Sequence, residues 1–318
     1  MSSRIFDAHG TCLRRDAVRE LGEHRVRSAV ESGEFGSPLP GVLVDPRRAA
    51  EPVTVIAAAT RWAGPDAVVA GRSAAFLHGF DAADPTPVHL MVPYGNRRRT
   101  RPGVAVHNGP SLAADTVWLA GLPVLDVERV VVDVLCTAGP ASALAVADQA
   151  MAAVAAAARE AFRARLGERI RRRPDPRGTR IAATLLDLAT GQAESPAESW
   201  LLWALVDLGF PVPEVNHWVC NLDGTPVFRV DLCWPALRIA VEYYGHVAHV
   251  DQVEKDAVRV GELERRGWIV VVVTAADLGS VTRMERELQE AFLARGLNLR
   301  DRARRALRPR RHRERWVG

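Results

Sequence analysis

Apolar residues change spacing along this chain, and the changes mark its elements. From Phe228 to Tyr244 they alternate at period two, which predicts two short strands. Phe228, Val230, Leu232 and Trp234 share one face of the first strand, with Arg229, Asp231 and Cys233 on the other. On the second, Ile239, Val241 and Tyr243 alternate with Ala240, Glu242 and Tyr244. A four-residue loop over Pro235 to Arg238 pairs Trp234 with Ile239 and sets Asp231 opposite Glu242. Directly opposed carboxylates repel, so this hairpin implies a proton or a cation between them.

The flanking pattern extends this unit. Ser195 with Pro196 is a good helix start, and Leu201, Leu202, Leu205 and Leu208 give the helix Ala197 to Leu208 an apolar face. A strand over Val212 to Leu222 and an Asp223-Gly224 turn follow. Beyond the hairpin come a helix (Val253 to Arg266), a buried strand (Trp268 to Thr274) and a last helix from Asp277.

Earlier in the chain, Thr11 is read as the cap of a helix from Cys12 to Leu21. After Gly22 a second helix, Glu23 to Ser32, puts Val26, Ala29 and Val30 on one side and Arg25, Arg27 and Ser28 on another. Phe35 and Gly41-Val42-Leu43-Val44 supply a short β wing. This is the layout of a winged helix-turn-helix, whose second helix enters the major groove. Residues 51 to 158 read as an α/β domain: a helix of small residues (Val53 to Trp62), strands at Val88 to Val92, Val104 to His107 and Gly121 to Val124, and helices from Val127 and Ala141. Arg97, Arg98, Arg99 and Arg101 crowd a loop, either a solvated tip or a phosphate contact. His78, His89 and His107 fall in three separate elements and read as packed or hydrogen-bonded. Asp133 and Asp148 fit exposed helix faces.

Composition changes this picture in one respect. The 48% apolar and 25% charged fractions are those of an ordinary globular protein. The formal charge of +4 is uneven, however. Residues 300 to 316 carry net +7 and residues 163 to 180 net +6, leaving −9 elsewhere. Residues 159 to 180, with Pro174, Pro176 and Gly178, read as a basic linker, and 300 to 318 as a basic tail. Such segments meet nucleic-acid phosphates without reading sequence. The four cysteines form no CxxC pair, and no apolar run is long enough for a membrane span. The expectation is a cytoplasmic protein with reduced thiols and no membrane partner.

Two resemblances sharpen these readings. The N-terminal helix pair with SGEF and PGVLVDP, then RSAAFLHGF, VHLMVP and GLPVLDVERVVVDV, look like the AbiEi family of type IV antitoxins over roughly the first 155 residues. The resemblance implies DNA binding, with Arg25, Arg27 and Ser28 as contacts, and a cognate toxin as partner. SPAESWLLWAL, FRVDLCW, IAVEYYGHVAH and EKDAVRVGELERRGWIVVVVT resemble the domain-of-unknown-function 559 family. That family is related to the very-short-patch repair endonucleases of the restriction-endonuclease-like, PD-(D/E)XK, fold. The implied fold class is α+β and α/β multidomain, with a helix, three antiparallel strands, a helix and a strand in residues 181 to 299.

Phosphodiester cleavage needs a metal that neutralises phosphate and activates water, and hard cations such as Mg²⁺ take carboxylate oxygens. Asp231 and Glu242 are the expected ligands, with Glu198 as a third acid or an orienting group. Mn²⁺ would be the expected substitute. Tyr244 stands where the family carries another polar residue, and a phenol of pKa about 10 is a poor base at neutral pH. His246 or His249 then takes the base role, and Asp256 matches an acid that closes such sites. A zinc set of His217, Cys220, Cys233 and His246 is disfavoured, because residues three apart on a strand face opposite ways. The leading expectation is a DNA-binding protein with a Mg²⁺-dependent endonuclease-like domain. The alternative is a non-catalytic DNA-binding regulator or antitoxin.

Overall fold

The computed structural model describes residues 5–109, 113–245 and 250–299, with the side chains of 250–256 left out. His246, His249, the side chain of Asp256 and the basic tail therefore lie outside the described residues. The described residues form a mixed α/β protein with three sheets, divided into two compact units, the second beginning at Leu135. Among the described residues no single helix is long and apolar enough to cross a membrane.

The first unit opens with β1 (Thr11–Leu13), α1 (Arg14–Leu21), α2 (Glu23–Glu31), β2 (Gly36–Leu39) and β3 (Val42–Val44), the strands ordered β1-β3-β2. Gly22 alone separates the two helices, at φ +84°, a left-handed turn that favours glycine. Ala17, Val26, Ala29, Phe35 and Leu43 form the core, and Phe6 packs edge-on against Phe35. Thr11 is not a helix cap. It sits in β1 opposite Val44, its hydroxyl is bonded to Asp7, and α1 starts at Arg14 without a side-chain cap. Strand pairing with β3 outcompetes the isolated cap, because it satisfies backbone groups on three consecutive residues.

There follow α3 (Pro52–Ala63), β4 (Val68–Val69), α4 (Gly71–Leu77), β5 (Val88–Pro93), β6 (Val104–Gly109), β7 (Thr116–Leu119), β8 (Leu122–Leu125) and α5 (Val127–Thr137). The strands form one mixed sheet in the order β6-β5-β4-β8-β7. Strand β7 is absent from the sequence reading. Its antiparallel turn onto β8 is made by Ala120 and Gly121, both at positive φ.

The second unit begins with α6 (Pro140–Ala152), α7 (Arg159–Arg171), α8 (Thr179–Leu188) and α9 (Pro196–Asp207). The segment read as a basic linker is largely helix α7. Phe162, Leu166 and Ile170 are buried at four-residue spacing, so the arginines ride on a helix packed along one side. Asp148 is likewise not on an exposed face: it is 1% exposed. Its carboxylate accepts from the Thr190 and Gly191 N–H groups at 2.8 and 2.9 Å and from the Ser199 hydroxyl at 2.8 Å. Gly191 makes this possible. It has φ +70°, and a Cβ there would stand 2.8 Å from the Ala152 nitrogen.

The rest is β9 (Glu214–Cys220), β10 (Pro226–Trp234), β11 (Ile239–Tyr244), α10 (Val250–Arg265), β12 (Ile269–Thr274), α11 (Ala275–Gly279) and α12 (Thr282–Ala294). The sheet order is β12-β11-β10-β9, antiparallel except for the parallel β11–β12 pair. Trp234 pairs with Ile239, as the alternation requires, across a loop closed by Arg238 at φ +49°. Val219, Val230, Cys233 and Ala240 of this sheet cluster with Leu263 and Trp268 in a buried core.

Candidate functional site

The hairpin register brings Asp231 and Glu242 to the end of the paired ladder, one rung beyond Leu232↔Val241. Glu242 is 3% exposed, and Asp231 is half-buried. The Tyr243 N–H donates to Asp231 Oδ2 at 2.8 Å. Glu242 carries a cation from its own chain: Arg259 Nη2, on α10, lies 3.1 Å from each Glu242 oxygen. The same nitrogen donates to the Arg229 carbonyl. Sequence reasoning missed Arg259, which meets Glu242 only after α10 folds back onto the sheet.

Glu198 joins this cluster from the first turn of α9, but its oxygens have structural work. Oε1 accepts from the Ser195 hydroxyl at 2.9 Å, and Oε2 accepts from the Glu194 N–H and Asn216 Nδ2, each at 2.9 Å. Asn216, at φ +52°, lies in β9 between the residues paired with Val230 and Leu232, hence opposite Asp231. Glu194 is ion-paired with Arg229. Burial pushes the Asp231 carboxyl up to about 6. The Tyr243 N–H and the Arg259 charge oppose this, and the negative charges of Glu198 and Glu194 add to it.

These donors do not fit a hard divalent ion as they stand. Both oxygens of Glu242 face a guanidinium, and both oxygens of Glu198 hold the entry to α9. Among the described residues, no three His, Cys, Asp or Glu side chains are arranged to hold a metal. Tyr244 closes β11 beside Glu242, paired with Thr274. Of the zinc set, His217 Nδ1 is bonded to Glu214 at 2.8 Å, Cys220 is exposed, and Cys233 is buried with its thiol pushed up to about 12.

In the first unit, Arg27 and Ser28 are exposed on α2. Arg25 is held by Glu34, with both carboxylate oxygens at 2.7 Å. Arg97 and Arg99 are exposed, while the Arg98 guanidinium lies 4.9 Å from the Trp62 ring centre and that of Arg101 5.4 Å. These two arginines stack on an aromatic face, so the loop is anchored and not merely a solvated tip. Arg98 borders a cleft of about 1030 Å³ whose lining includes Arg14, Arg15, Arg61, Trp62 and Trp118. His89 and His107, read as separate, stack across the parallel β5–β6 pair with 3.0 Å between Nδ1 and Nε2. Burial lowers both imidazoles, His89 to about 4.

Residues 67–189 match the family described as the AbiEi antitoxin C-terminal domain. Two proteins of Mycobacterium tuberculosis are similar over most of the chain: uncharacterized protein MT2308 (strain CDC 1551 / Oshkosh) and uncharacterized protein Rv2248 (strain ATCC 25618 / H37Rv). Each is 32% identical over 248 residues, covering 75% of this chain and 88% of the relative. The crystal structure of the RV2827C protein from Mycobacterium tuberculosis is similar at a TM-score of 0.42 and 19% identity, over 66% of this chain and 83% of that one.

Proposed function

We propose that this chain, which belongs to the same family as the two mycobacterial proteins and carries an AbiEi antitoxin C-terminal domain at residues 67–189, is a DNA-binding regulator of the antitoxin type. The family domain is the observation that carries this reading. The N-terminal unit supports it: two helices joined at Gly22, followed by a hairpin that pairs with β1, have the layout of a winged helix-turn-helix. In that layout α2 enters the major groove, with Arg27 and Ser28 exposed on it. The partner implied by the family is a cognate toxin.

The C-terminal unit has the element order of a restriction-endonuclease-like core: α9, three antiparallel strands, α10 and a parallel fourth strand. Its acids serve the fold in this reading. Glu198 holds the start of α9 and Glu242 is neutralised by Arg259, so the domain acts as a binding or scaffolding module without Mg²⁺-dependent cutting. A nuclease with Asp231 and Glu242 as ligands is the competing reading.

The regulator reading is tested by fluorescence anisotropy on a duplex from upstream of the chain's own gene. The protein is expected to bind with a steep salt dependence. Arg27→Ala is expected to weaken binding by roughly tenfold. Arg25→Ala is expected to change it less, because Glu34 already neutralises that side chain, and Glu34→Gln is expected to strengthen it by releasing Arg25. No salt-sensitive binding, or Arg27→Ala binding as well as wild type, would sink the reading.

A further inference from the structure

Glu242, a buried carboxylate just past the end of the hairpin ladder, requires compensation, and a side chain of the same chain supplies it. Arg259 comes from α10, 17 residues beyond Glu242 in the chain, and lies against a carboxylate only 3% exposed. The arrangement is not a forked Arg–carboxylate pair. Both bonds to Glu242 leave the same nitrogen, Nη2, and both are 3.1 Å, longer than the roughly 2.7–2.9 Å of a good charge-assisted bond. The Nε–H of Arg259 is buried with no hydrogen-bond partner among the described residues. A guanidinium held in this way neutralises charge without using its fork geometry.

We propose that Arg259 is the resident cation of the Asp231–Glu242 site, taking the place of a divalent ion and closing the site to one. The chemistry of the site explains why one cation excludes the other. A hard divalent ion binds through carboxylate oxygens, and the two oxygens of Glu242 are those that face Nη2. A metal would have to displace a tethered positive charge from a poorly hydrated position. With Arg259 removed, Asp231 keeps the negative charges of Glu198 and Glu194 about it, with Arg229 ion-paired to Glu194 among the described residues. The site is thus a latent metal site, and one side chain decides its state. This is independent of whether the N-terminal unit binds DNA.

The test uses the full chain and Mn²⁺ alone, with unfolding temperature and the electron paramagnetic resonance signal of free Mn²⁺ as readouts. Wild type is expected to show no Mn²⁺ binding that depends on Asp231 and no shift in Tm. Arg259→Met is expected to unfold at a lower temperature than wild type and to recover by about 2–4 °C in millimolar Mn²⁺. Arg259→Lys, which keeps the charge, is expected to remain unresponsive, and adding Asp231→Asn to Arg259→Met is expected to abolish the recovery. Mn²⁺ bound by wild type and lost in Asp231→Asn alone would overturn the proposal, even if Arg259→Met did not fold. So would Arg259→Met that folds with unchanged Tm and no response to Mn²⁺.

Discussion

Asp148→Ala is expected to lower the unfolding temperature of the protein by on the order of 10 °C, from a loss of about 3–5 kcal/mol. Three donors converge on this carboxylate: the backbone N–H groups of Thr190 and Gly191 and the hydroxyl of Ser199. Alanine leaves all three without an acceptor in a place that water does not reach, since Asp148 is 1% exposed. Burial raises the carboxyl pKa, and its three bonds and the nearby Arg163 charge only partly offset that. The carboxyl is therefore kept for its acceptor oxygens, despite the cost of burying it. Asp148→Asn retains the volume and one acceptor oxygen, and is expected to be milder. The consequence extends beyond stability. Asp148 lies on α6, within the matched family segment, and grips the turn that leads to α9, where Ser195 and Glu198 begin the acidic site. Thermal unfolding followed by circular dichroism checks this, and a loss smaller than about 2 °C would show that the bonds carry no stability.

Asp231→Asn is expected to act in the opposite direction at neutral pH. The folded-state carboxyl is raised from 3.8 to about 6, so the folded protein binds this proton more tightly than the unfolded chain does. The stability this contributes is fully present below about pH 4 and is lost as pH rises through about 6. Above that, the ionised Asp231 costs the fold about 1–3 kcal/mol. Asparagine keeps an oxygen for the Tyr243 N–H and carries no charge. The variant is expected to be more stable than wild type at pH 7.5, with no gain at pH 4. Denaturant unfolding at the two pH values checks it. A variant less stable than wild type at pH 7.5 would mean that the Asp231 charge is needed by a cation.

The hairpin was legible because its information is local. Alternation and loop length together set the Trp234–Ile239 pairing, and with it the position of the two acids. The cation beside Glu242 was not legible. Arg259 is an ordinary arginine on a helix until the chain closes, and nothing in its spacing points to Glu242. Glu198 was a different kind of miss. The Ser195-x-x-Glu198 pattern is a helix-start signal, and the fold uses both oxygens for that purpose, a reading the metal expectation displaced. Arg159 to Arg171 looked like a linker because nearby prolines and dense charge masked Phe162, Leu166 and Ile170. The His89–His107 contact depends on a parallel strand pairing, which no short-range pattern encodes.

In the proposed reading this chain binds DNA as a regulator, while an internal arginine, not a metal, neutralises its nuclease-like acids. The most direct test incubates the purified protein with supercoiled plasmid in Mg²⁺ or Mn²⁺ and in EDTA, beside Asp231→Asn, reading retardation and nicking on one gel. Retardation that survives EDTA, with plasmid left intact by both proteins, is the predicted result. Metal-dependent nicking by wild type that Asp231→Asn abolishes would contradict the account.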